Sequence, residues 1–334
     1  MQILPLALFL VLLELTIGSY VTIYVLDLRG DTSRGFVVFQ GVLYLVFAGI
    51  TILAMNAVTP AHPSNYGLDA SWLRWQGPLV VAFALLMIPW NVLLWRDKQP
   101  RAQAKKAAKS SNPAAPAPPS RRVRFVLGGL TSLVGLVALF VVGMGYRTLA
   151  DSHLGGAFVV LALLAGGIAL GGTMTAMLLG HWYLNTPTAS GKPLEFTTIV
   201  LVVALALELV FTLGIGPATA HTKLQTSAVA PGTTIQAGSD GSIKISTPTV
   251  KPGTVDTSQA RQAETQRVAP LGMGAFIWLQ VIMGLLAPLI LGGVALYLTR
   301  GRSFQSATGM LYLCVSFVFI GEIIGRGLLL FPAI

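Results

Sequence analysis

Apolar residues along the chain gather into eight runs, at about 2–27, 35–58, 77–96, 123–147, 155–180, 194–218, 272–298 and 306–332. A helix rises 1.5 Å per residue, so roughly 20 apolar residues cross the hydrocarbon of a bilayer. Each run meets that length. Trp72, Trp75, Trp95 and Trp182 stand at or near the ends of runs, where an amphipathic ring favours the headgroup level. The pattern predicts an all-α integral membrane protein, a bundle of about eight transmembrane helices.

The polar intervals divide the chain further. Residues 1–96 form a three-helix part, and 97–122 a basic linker. Residues 123–218 supply three more helices, 219–271 a long loop, and 272–334 a closing two-helix hairpin. The linker, KQPRAQAKKAAKSSNPAAPAPPSRR, has no apolar period and is expected to be disordered. Within the long loop, GTTIQAGSDGSIKIST alternates around Asp240-Gly241, a hairpin signal. The N-terminal run lacks a basic leader and a small-residue cleavage pattern before Glu14, so it is expected to be a retained first helix.

Composition agrees with a lipid-solvated chain. The sequence is 54% hydrophobic and 10% charged, whereas soluble domains carry roughly a quarter charged residues. The net charge of +10 could suggest nucleic acid. However, nine of the 22 Lys and Arg lie between Arg96 and Arg124, with Asp97 the one acid among them. That is a juxtamembrane basic segment, so nucleic acid is not an expected partner. The turn with Arg29 and Arg34, the linker, and the turn with Arg300 and Arg302 are the basic short connections. The positive-inside rule then puts the linker in the cytoplasm and both termini outside. A multi-pass protein of the cell membrane is the expectation.

Candidate chemistry is sparse. The single cysteine, Cys314, can build neither a disulfide nor a thiolate metal site within one chain. No Walker loop, HExxH or GxSxG occurs, so hydrolytic chemistry has no support. His62, His153 and His221 fall in outer loops or at helix ends, and His181 lies at the inner end of helix five. No pair shares a depth suited to two axial ligands, so haem is disfavoured and no metal site is expected.

Four charges sit well inside apolar runs: Glu14, Glu208, Glu322 and Arg326. Each costs about 2.5–3.5 kcal/mol on insertion scales, which makes each a functional candidate. Glu208 lies about 21 Å, and Glu322 about 25 Å, along their helices from the inner end. Glu322 and Arg326 are spaced i, i+4 and share a helix face. A packing ion pair, or carboxyls hydrogen-bonded to neighbouring helices, would explain the same residues without chemistry. His62, in TPAHP, is a weaker candidate for an outer pocket. The runs GGIALGG at 166–172 and the pairs at 128–129 and 292–293 allow close helix approach.

The segment FIGEIIGRGLLLF, through Glu322, Gly325 and Arg326, resembles the NrfD-like and polysulfide reductase membrane subunits and the anchor subunits of dimethyl sulfoxide reductase-type enzymes. The match covers one helix, and the 97–122 linker and 219–271 loop depart from that pattern. The resemblance implies a quinone-interacting subunit of a bacterial electron-transfer complex. It would hold no redox centre and no covalent cofactor, and would pass electrons to an iron–sulfur or cytochrome subunit. Glu322, Arg326, Glu208, Glu14 and His62 would be its quinone and proton candidates. A scaffold or assembly subunit and a proton-coupled secondary transporter are the alternatives.

Overall fold

In lipid, a spanning segment must satisfy its own backbone hydrogen bonds, which leaves helices as the solution for long apolar runs. The computed structural model describes residues 3–58, 67–96, 119–150, 152–186, 190–215, 234–237, 243–246 and 272–330. Among these, eight helices are long and apolar enough to cross a membrane. They are α1 (Ile3–Arg29), α2 (Arg34–Val58), α3 (Gln76–Arg96), α4 (Pro119–Tyr146), α5 (His153–Asn185), α6 (Lys192–Ile215), α7 (Gly272–Leu279, Gln280–Leu286 and Ala287–Arg300 in succession) and α8 (Phe304–Leu330). These eight helices form a multi-pass membrane bundle.

Its surface is that of a protein solvated by hydrocarbon. Leu53, Val126 and Tyr297 are more than 70% exposed, among many other outward aliphatic side chains. That much apolar surface would be a liability in water and is ordinary against lipid. The interior, by contrast, holds the polar residues. Apart from the side chains of its first residues, α1 is buried along most of its length, from Leu6 and Phe9 through Glu14 and Tyr20 to Asp27. It packs on α2 and also on α4, α5 and α8. The helices before and after the basic linker thus belong to one compact unit, comprising 1–219 and 276–334.

Glycines set the closest approaches. A Cβ at Gly18 would overlap the Gly167 carbonyl, and one at Gly171 would overlap the Gly18 backbone. So α1 and α5 touch main chain to main chain, the small-residue packing that stands in for the hydrophobic effect in a bilayer. Gly284 of α7 and Gly321 of α8 meet in the same way. Gly284 lies in the π-helical stretch Gln280–Leu286, a wider coil that often marks functional sites.

The helix termini carry the remaining polar contacts. At the basic end, the Asp27 carboxylate pairs with Arg124 at 3.2 Å and Arg34 at 3.7 Å, and Glu195 pairs with Arg300 at 2.8 Å. α5 runs five residues past its apolar stretch because His181, Trp182 and Tyr183 anchor it there. His181 Nδ1 shares a 3.2 Å hydrogen bond with the Tyr312 hydroxyl, Trp182 packs on Phe36, and the Tyr183 hydroxyl donates to the Ser190 carbonyl at 2.7 Å. Residues 97–118 of the linker lie outside the described residues, and α4 already begins at Pro119.

At the opposite end, Asp69 caps the single helical turn Ala70–Leu73 by accepting from the Ser71 amide at 3.1 Å, with Arg147 at 3.7 Å. The Ser71 hydroxyl and amide, then Arg147, hold this carboxyl below the usual carboxylate range. A depressed carboxylate stabilises above its unfolded value and loses that contribution as pH falls through the lower folded one. Replacing Asp69 with alanine is expected to cost about 1 kcal/mol at neutral pH. Thermal midpoints of the two proteins should converge as the pH is taken below about 4.

A second unit, 220–275, contains an antiparallel strand pair, β1 (Thr234–Ala237) and β2 (Ile243–Ser246). Its register sets Ile235 opposite Ile245 and Gln236 opposite Lys244. The residues between the strands, Asp240-Gly241 included, are outside the described set.

Candidate functional site

The four intramembrane charges meet at one point. Arg326 Nη2 lies 2.9 Å from Glu14 Oε1, 3.4 Å from Glu208 Oε1 and 2.7 Å from Glu322 Oε2. Its Nε donates to Glu14 Oε2 at 3.1 Å, so the guanidinium grips Glu14 with two nitrogens. Three helices, α1, α6 and α8, deliver these groups. Counting helical rise from the basic end, the carboxyl positions stand about 22, 24 and 27 Å along their helices, and Arg326 about 33 Å. Helical side chains lean toward their own N-terminus. In α8 that direction carries the guanidinium back to the level of Glu322.

A fourth helix supplies the floor. A Cβ placed on Gly166 of α5 would stand 2.8 Å from Glu208 Oε1 and 3.0 Å from Glu322 Oε1, and would clash with Arg326 Nη2. Any side chain there would occupy the volume the charges fill. GGIALGG marks α5 as a close-packing helix, but which glycine faces the charges depends on the rotation of α5 and is not readable from spacing.

The cluster is sealed: Glu14 is 0%, Glu208 1%, and Glu322 and Arg326 4% exposed. Three carboxyls therefore share one guanidinium in a site with little water. The Glu208 and Glu322 carboxyls meet the same Arg326 nitrogen and both border Gly166. Three acids gathered on one base repel one another, which disfavours all three being ionised together. Taking an uncompensated carboxylate out of water costs several kcal/mol even after relaxation. The arrangement can therefore store a proton and pass it between neighbouring oxygens.

Gln280, half-buried in the π-helical stretch of α7, lays its side-chain amide over Gly325, between Glu322 and Arg326 in sequence. A polar amide on a lipid-facing span at this level had no distinguishing signal in the sequence. Of the remaining candidates, His62 lies outside the described residues, while His153 opens α5 on the exposed surface. Among the described residues no group of three or more His, Cys, Asp or Glu is arranged to hold a metal ion.

No protein-family model matches this chain, and no curated protein matches it.

Proposed function

We propose that this chain is a proton-handling membrane subunit of a bacterial electron-transfer complex, in which the Glu14–Glu208–Glu322–Arg326 cluster exchanges protons with a quinone. The observation that carries the reading is the ratio of three buried carboxyls to one guanidinium, all three within 3.4 Å of its Nη2. A structural ion pair needs one acid per base. The surplus acids make the cluster a proton store.

Oxidation of a quinol releases two electrons and two protons. The electrons require an acceptor of the iron–sulfur or cytochrome class on a partner subunit, because this chain would hold no redox centre. The protons require a base near the head group. Gln280, whose amide lies over Gly325, would donate a hydrogen bond to a quinone oxygen from the α7–α8 surface, and Glu322 would take the proton. Glu208, which shares the Arg326 Nη2 with Glu322, would be the next acid along. Arg326 keeps the cluster near neutrality as the proton moves, and Gly166 leaves the room for it. In this reading the basic end faces the cytoplasm, both termini lie outside, and the cluster serves the outer half of the bilayer.

The test is quinone content of the protein purified from its own membranes, together with quinol-dependent turnover of those membranes. Wild-type protein is expected to retain quinone, and Glu322→Gln to lower quinol-dependent turnover about a hundredfold or more, the scale of one proton-transfer group. A wild-type preparation free of quinone, with turnover indifferent to Glu322→Gln, would contradict the assignment.

A further inference from the structure

A second set of buried polar atoms lies nearer the basic end, among α1, α2, α3 and α4. Gln40 of α2 is 0% exposed, yet neither its Oε1 nor its Nε2 has a hydrogen-bond partner among the described residues. The same holds for Asn91 Oδ1 and Trp90 Nε1 of α3 and for Ser132 Oγ of α4, all on residues at least nine-tenths buried. Each such atom left dry costs about 1–3 kcal/mol, so five of them would consume on the order of 5–15 kcal/mol, the net stability of a typical fold. A dry interior is the expensive interpretation.

Trp90 and Asn91 meet α2 and α4 at glycines that stand close in sequence to Gln40 and Ser132. The Asn91 carboxamide oxygen and the Trp90 ring both press on Gly41, next to Gln40. Trp90 Nε1 lies against Gly128, one turn before Ser132 on α4. The Tyr20 ring stands 5.0 Å from that of Trp90, and its buried hydroxyl also has no hydrogen-bond partner among the described residues. By helical rise Gln40, Trp90, Asn91 and Tyr20 stand about 8–14 Å from the basic ends of their helices. Below them sit the buried Asp27–Arg124 pair and Arg34, whose side chain is one third exposed. Above them the packing turns apolar: Ile17 and Phe83 close on Gly135, and Leu139 closes on Gly167 at the level of Glu14. Ile17, Phe83 and Leu139 are all essentially inaccessible.

We infer that α1–α4 enclose a hydrated polar chamber, lined by Gln40, Trp90, Asn91 and Ser132, which admits water and protons from the basic end past Asp27. The Ile17–Phe83–Leu139 layer separates it from the carboxyl cluster. Bound water would give each orphaned donor and acceptor a partner. Along α1 the distance from Tyr20 to Glu14 is about 9 Å, so the chamber ends some three water diameters short of the cluster. The delivery of protons onward to that cluster rests on the function proposed above, whereas the chamber does not.

The test uses the whole purified protein with nitrogen-15-labelled tryptophan, transferred to deuterated buffer. Trp90→Phe assigns the Trp90 indole resonance. Its N–H is expected to exchange within minutes, and Gln40→Leu with Asn91→Leu to slow that exchange about tenfold by displacing water. Gln40→Leu alone separates the interpretations a second way. It should raise the thermal midpoint if the amide is dry, and leave it level or lower it if the amide is hydrated. Slow wild-type exchange, exchange indifferent to the two substitutions, or stabilisation by Gln40→Leu would each overturn the chamber. The carboxyl C=O band of the cluster, followed in the same samples, reports on the other reading. Fast indole exchange with no such band would leave the chamber standing and remove the proton store.

Discussion

Arg326→Leu is expected to destabilise the protein by about 3–5 kcal/mol, the cost of breaking a buried ion pair by removing one partner. The effect is large because one guanidinium answers three carboxyls: Glu14 through two nitrogens, Glu208 and Glu322 through one. Leucine cannot reach them, and no other cation is paired with any of the three among the described ion pairs. The carboxyls can answer only by taking up protons, which limits the loss without abolishing it. Glutamine at Glu14 in the same protein should recover part of the deficit, since an amide needs no counter-ion. Arg326→Lys should fall between, because an ammonium cannot reproduce the two-nitrogen grip on Glu14. Thermal midpoints in one detergent, ordered wild type, lysine, leucine, would check the series. An Arg326→Leu protein as stable as wild type would mean that the cluster does not hold α1, α6 and α8 together.

Gly18→Ala should be nearly as damaging, although it adds one methyl group. The new Cβ would overlap the Gly167 carbonyl, which is main chain and cannot rotate away. Overpacking usually costs about 1–3 kcal/mol and more where neighbours cannot yield. Separating α1 from α5 would also draw Glu14 off Arg326, coupling the seam to the site. Gly293→Ala is the control, since a Cβ there meets nothing within 4 Å. Accumulated protein and thermal midpoint should fall for Gly18→Ala and hold for Gly293→Ala. Equal behaviour would show that the seam is loose.

Much of the architecture was legible because length and apolarity almost alone decide a spanning helix. The eight runs and the helices agree at most ends within a few residues. The exceptions have physical reasons. α5 continues through His181, Trp182 and Tyr183 because interfacial aromatics end a hydropathy window without ending a helix. The π-helical stretch Gln280–Leu286 is dictated by packing of Gly284 on Gly321, a tertiary fact. The central position of α1 was likewise hidden, since its sequence is as apolar as that of a lipid-facing span.

The candidate site was half legible. Glu14, Glu208, Glu322 and Arg326 announce themselves by their cost in a bilayer. Their convergence depends on the rotation of three helices, which one sequence does not encode in any countable pattern. Gly166 was visible as part of a glycine run, but its role as the floor beneath the charges was not. Gln40, Asn91 and Ser132 drew no notice because single neutral polar residues are common in apolar helices. Only together do they form a set.

The most direct measurement is the infrared spectrum of the purified protein in the C=O stretching region of buried, protonated carboxyls. With three acids around one base, the wild type is expected to show such a band at neutral pH, shifted by carbon-13 glutamate and weakened in Glu208→Gln and Glu322→Gln. A wild-type spectrum without that band, its glutamates wholly ionised, would contradict the account.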